Sequence, residues 1–169
     1  MKKFLLFFLL TIFMLNTAFA MNPCPDKIQA VLLTKITSFI REVGGAPKST
    51  YTIGVLNGGP MLDILKKAAA SSNKLKIISV SINNIKDANI VFVPKGTSPD
   101  LVKQVKAAAV KNKILTVAGD PNFVVNQGIT LSFHLVNGKP RMLISVASAA
   151  EEGVKFAATF LRIAEKVEK

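Results

Sequence analysis

The chain holds very few of the residues on which catalysis, metal binding and disulfide bracing rest. It has one cysteine, Cys24, one histidine, His134, one tyrosine, Tyr51, and no tryptophan. A single cysteine excludes an intramolecular disulfide, so Cys24 is either free or paired between molecules. No histidine or second cysteine lies near it in sequence to lower its pKa toward a reactive thiolate. Asn22-Pro23 precede it, where a lipoprotein signal would place small residues. A metal site wants several His, Cys or carboxylate ligands, and none cluster around His134. The nucleophile elbow G-x-S-x-G is missing, as are G-x-G-x-x-G and a P-loop ending G-K-(S/T). Glu151-Glu152 are adjacent, so on a helix they point about 100° apart and cannot share a substrate. They read as N-terminal charges of a last helix, offsetting its macrodipole. No enzyme, cofactor or metal is therefore expected.

What is present begins with an export signal. Lys2-Lys3 precede an apolar run from Phe4 to Leu15, and Ala18-Phe19-Ala20 follow. This n-region, h-region and A-x-A site read as a cleavable secretory signal peptide over residues 1–20. The run is shorter than the roughly twenty residues needed to span a bilayer. Removing 20 of the 169 residues leaves 149, which suits one α/β domain over residues 21–169. The expected location is the periplasm. Without Lys2 and Lys3 the 22 basic residues fall to 20, against 10 acidic ones, a net of +10. The charges are scattered singly and in pairs, and aromatics for base stacking are thin, so nucleic acid is not an expected partner. An acidic partner or an anionic membrane surface fits better.

Ile28, Leu32, Ile36, Phe39 and Val43 recur at helical spacing, which predicts a helix over residues 26–43 with Pro25-Asp26 at its start. A linker over 44–50 and a strand over 51–56 follow. Next come a helix over 61–70, strands over 74–80 and 88–93, a helix opened by Ser98-Pro99-Asp100, and a strand over 114–117. That order implies parallel strands joined by crossovers, a Rossmann-like sheet with flanking helices. Gly54-x-x-x-Gly58-Gly59-Pro60 sits between strand and helix, and reads as a plain turn before it reads as an anion cradle. Ile129, Leu131, Phe133 and Leu135 alternate with Thr130, Ser132 and His134, which predicts a half-buried strand with His134 facing solvent or a neighbouring segment. Asn137-Gly138 signals a C-terminal antiparallel hairpin returning over 141–146. A closing helix carries Phe156, Ala157, Phe160, Leu161 and Ala164 on one stripe.

Residues 113–169 carry a more specific pattern. Leu115-Thr116-Val117-Ala118-Gly119-Asp120 leads to Phe123, then Asn126-Gln127-Gly128-Ile129, then Asn137-Gly138-Lys139-Pro140-Arg141-Met142, and finally Phe160-Leu161-Arg162-Ile163-Ala164. This resembles the YfiR/HmsC-like family of periplasmic regulators, loosely also over the part before residue 113. The Trp-Pro usual after the first helix is missing, and so are the cysteines that form disulfides in several relatives. The resemblance implies a protein that binds the periplasmic part of an inner-membrane diguanylate cyclase and holds it inactive. It points to Lys139, Arg141, Arg162 and Phe123 as partner-binding residues, although either arginine could instead brace the hairpin against the last helix. An outer-membrane lipoprotein and a second copy of the chain stay open as further partners. The competing reading is a small periplasmic ligand-binding module serving a transporter or sensor.

Overall fold

The structure is a computed structural model and describes residues 21–167. The signal-peptide reading of residues 1–20 falls outside the described residues. Among them, no helix is long and apolar enough to cross a membrane.

Strand β1 (Asn22–Pro23) leads into helix α1 (Asp26–Ile36), and a short 3-10 turn then gives way to β2 (Ile40–Val43). The Rossmann-like half follows as β3 (Tyr51–Leu56), α2 (Pro60–Ala69), β4 (Leu75–Val80), β5 (Ile90–Val93), α3 (Pro99–Asn112) and β6 (Leu115–Ala118). The last third comprises α4 (Asn122–Gln127), β7 (Leu131–Val136), β8 (Lys139–Ile144), α5 (Val146–Glu151), β9 (Val154–Phe156), α6 (Ala158–Ile163) and β10 (Glu165–Lys166). The main sheet runs β10-β8-β7-β6-β5-β3-β4. Pairing is parallel from β4 through β7, antiparallel between β7 and β8, and parallel again between β8 and β10. β6 pairs with the first half of β7, and β1 takes the second half of the same edge.

The central strands are nearly all apolar because helices cover both faces. Ile53, Val55, Ile90, Phe92, Leu115 and Val117 face Ala30 and Leu33 of α1 and Met61 and Leu65 of α2. Val91, Val93 and Ala118 alternate to the other face, against Val102, Val105 and Ala109 of α3. Helix α3 starts as its residues dictate: the Ser98 hydroxyl accepts from Leu101 N–H, Pro99 is its first residue and Asp100 lies in its first turn.

Two expectations about elements are corrected. The first helix ends at Ile36, not Val43, and buries Gln29, Ala30, Leu33 and Ile36 in place of Ile28 and Leu32. Thr37 and Ser38 hydroxyls bond back to the Thr34 and Lys35 carbonyls, at 2.7 and 2.8 Å, and the chain then turns out of the helix. Ile40 and Val43 are β-branched and pair with β9 as a separate two-stranded sheet. The single closing helix is two short ones, with Phe156 in the strand between them. Phe156 still stacks on Phe160, with ring centroids 4.8 Å apart.

Cys24 is 2% exposed within the core, and its amide bonds to Phe133 O. Burial pushes its thiol pKa up from the ordinary value. The native protein should therefore resist thiol-alkylating reagents at pH 8 and react in strong denaturant, with mass spectrometry counting the adduct. Rapid native labelling, or a disulfide-linked dimer on non-reducing gels, would show that Cys24 is accessible after all.

Candidate functional site

The hairpin turn is built from Asn137 and Gly138, both with positive φ, at 51° and 73°. That is the signature of a type I′ turn, whose twist matches that of the two strands it joins. Gly128 also sits at a positive φ, 72°, where it ends α4. Lys139 opens β8 and is exposed, and Val136 opposite it across the turn is 38% exposed. Arg141 follows two residues later on the same strand. Arg162 lies in the last turn of α6, next to Ile163 at 55% exposure. Three residues on, β10 returns the chain to β8, with Glu165 beside Leu143. Lys139 and Arg141 thus share β8, next to the edge strand β10, and Arg162 lies on the helix that leads into that strand. Among the described residues none of the three makes an ion pair or a side-chain hydrogen bond. The bracing role left open for the two arginines therefore has no carboxylate to rest on there.

Phe123 does not join that edge. It is 8% exposed and packs in the core with Val102 and Val105, because α4 turns its apolar side onto the sheet. It supports the fold and is removed from the exposed partner surface. His134 faces a neighbouring segment, not solvent, since only 4% of it is exposed. β7 is not half-buried: β6, β1 and β8 occupy its edges, and core packs on both faces. His134 lies opposite Arg141, and its Nε2 is 2.8 Å from Glu165 Oε2, an ion-pair distance without the alignment of a hydrogen bond.

The largest surprise is Glu152. It was expected to be a helix N-terminal charge, but it follows the C-terminus of α5 and is fully buried. Its Oε1 accepts from Lys106 Nζ at 3.0 Å and from the Thr116 hydroxyl at 2.7 Å. Its Oε2 accepts from Thr116 N–H at 2.9 Å and from the Thr130 hydroxyl at 2.6 Å. Burial pushes its carboxyl pKa up, while the Lys106 ammonium and these donors pull the other way. With four donors satisfied it ties α3, β6 and the residue leading into β7 to α5. It is a structural anchor at the root of the hairpin. One signal for it was in the sequence: Gly153 follows directly, with φ 65°, and glycine just past a helix marks a C-terminus.

A crevice of about 560 Å³ opens at the carboxyl ends of β3 and β5, lined by Asn57, Gly58, Gly59, Lys95, Thr97 and Asp26 among others. Gly54 is not part of it. A Cβ there would lie 2.7 Å from Val80 Cγ1, so that glycine serves strand packing. Among the described residues, no three His, Cys, Asp or Glu side chains come together to hold a metal ion.

Comparison with known proteins adds the family. The chain is similar to the crystal structure of a conserved domain protein from Vibrio cholerae, with a TM-score of 0.64 at 13% identity. That alignment covers 87% of this chain and 61% of the other, so the chain spans about three fifths of the length of that protein. At such identity the likeness shows the fold alone. A 3-hydroxyacyl-CoA dehydrogenase from Archaeoglobus fulgidus aligns at a TM-score of 0.37 and 12% identity, over 70% of this chain and 57% of that one, too weakly to carry an argument. No curated protein matches. The sequence profile described as YfiR/HmsC-like matches residues 26–165, from the start of α1 to the start of β10. The chain belongs to the YfiR/HmsC-like family.

Proposed function

We propose that the protein is a periplasmic regulator that binds the sensor portion of an inner-membrane diguanylate cyclase and holds it inactive. The family match over residues 26–165 carries this reading. The hairpin and the last helix agree with it, because Lys139, Arg141 and Arg162 are exposed, near Val136 or Ile163 in the chain or register, and make no ion pair among the described residues. Arginine beside an apolar anchor is a common composition for an interface hot spot. Repression of this kind is a population shift: the regulator must bind the inactive cyclase better than the active one. Such a regulator needs no turnover of its own. Deleting the gene in a strain that keeps the cyclase should raise cellular cyclic-di-GMP severalfold and increase biofilm, and an export-competent copy should reverse both. Unchanged cyclic-di-GMP in that strain would defeat the proposal.

The competing reading, a small ligand-binding module, is favoured by one observation. The crevice lies where β4 and β5 leave β3 in opposite directions across the sheet. In open α/β sheets ligands bind at that switch point. A purified protein that binds a small metabolite tightly, in a strain whose cyclic-di-GMP is unchanged by the deletion, would select this reading.

A further inference from the structure

A second groove, of about 540 Å³, lies at the opposite end of the sheet, where α1 and α2 finish and β3 and β4 begin. Three lysines line it, Lys35, Lys48 and Lys74, and no carboxylate does. All three are exposed, and among the described residues none is in an ion pair or donates a side-chain hydrogen bond. The ordinary role for lysines at such a place is to cap helix carbonyls, since the C-terminus of a helix carries partial negative charge. Here hydroxyls and turn amides already meet several of these carbonyls. The Val31, Thr34 and Lys35 carbonyls of α1 accept from the Thr34, Thr37 and Ser38 hydroxyls at 2.9, 2.7 and 2.8 Å. On α2 the Ala69 carbonyl accepts from Ser72 N–H at 2.9 Å. Among the described residues no bond takes up the three ammonium groups. Screening at physiological ionic strength acts over about 8 Å, so charges rimming one small groove act together on an ion between them. Ser49 and Ser71 add further hydroxyls to the lining.

We infer that this groove binds a polyanion carrying two or more phosphate groups, with Lys35, Lys48 and Lys74 as its charge contacts. Lysine is a point-charge phosphate binder, and several lysines with hydroxyls between them suit an extended oligophosphate better than a planar carboxylate. The volume falls in the range of small-molecule sites. The site is independent of the cyclase-binding edge, so its test does not depend on that reading. The same chemistry is offered by a soluble oligophosphate or by anionic lipid headgroups, and two probes separate them.

The test compares the wild-type protein with a triple variant, Lys35→Gln/Lys48→Gln/Lys74→Gln. A control triple, Lys86→Gln/Lys103→Gln/Lys111→Gln, removes the same charge from exposed positions outside the groove. Circular dichroism melting establishes that all three are folded. Calorimetric titration with tripolyphosphate should show binding to the wild type, at least tenfold weaker binding to the groove triple, and at most a twofold change in the control. Cosedimentation with phosphatidylglycerol vesicles forms the second arm. Loss there in the groove triple alone, with no tripolyphosphate binding to the wild type, assigns the site to a lipid headgroup. Absence of binding in both arms, or equal losses in the two triples, overturns the inference.

Discussion

Glu152→Ala is expected to destabilise the protein by about 3–5 kcal/mol, the range for removing one partner from a buried ion pair. The substitution strips the counter-charge from Lys106, whose side chain is only 14% exposed, and leaves it Glu151, which is 59% exposed, at 3.1 Å. It also strands Thr116 N–H and the Thr116 and Thr130 hydroxyls, all on residues with no exposure. Domains of this size are stable by only ~5–15 kcal/mol, so a large part of that margin would go. Urea unfolding followed by circular dichroism measures it. Glu152→Gln keeps the shape and two polar atoms, and should cost less. A pH series adds a second reading. Burial raises the folded pKa of Glu152 above the ordinary 4.5, so the folded state binds more protons than the unfolded one between those two values. Stability contributed by this group is then present in full below pH 4.5 and declines as pH rises through the folded value, after which it is flat. Glu152→Gln should remove that decline. An alanine variant as stable as the wild type would show that the four bonds are not holding the fold.

The contrast between Glu152 and the Rossmann-like half shows where the sequence was readable. From Tyr51 to Ala118 each strand is a short, mostly apolar run and each helix has its own start signal, so local pattern and tertiary role agree. The observed elements there lie within a residue or two of those expected. The hairpin was equally legible, because Asn137-Gly138 states its turn type outright. The failures share one cause, which is pairing at long sequence separation. Residues 40–43 leave the helical pattern because residues 154–156 offer them a partner strand. β7 is more buried than its alternation suggests, with β1, more than a hundred residues earlier, paired along its edge. Glu152 is anchored by residues 22 to 46 positions away. Periodicity reports the face a residue turns, not which distant segment covers it. The proposed partner edge was legible only through resemblance, and the structure then decided which of its residues are exposed.

Arg141→Glu should abolish repression of the cyclase while leaving the fold intact. Arg141 is exposed on β8, and among the described residues it makes no ion pair or side-chain hydrogen bond for the change to remove. Surface changes of that kind usually stay within about 0.5 kcal/mol. Truncating a hot-spot arginine typically costs about 2 kcal/mol or more in binding, roughly a thirtyfold weaker complex. Reversing its charge against an acidic partner adds repulsion to that loss. Arg162→Glu should act in the same direction, since α6 feeds β10 onto the same strand. Phe123→Ala provides the opposite signature, because its ring is core: it should lower the melting temperature, and any loss of repression should follow the loss of folded protein. The two readouts, thermal melting and a cyclic-di-GMP reporter, must be taken on the same variants. A well-folded Arg141→Glu protein that represses normally would exclude this edge as the cyclase contact, and an Arg141→Glu protein that melts early would return the arginine to a bracing role.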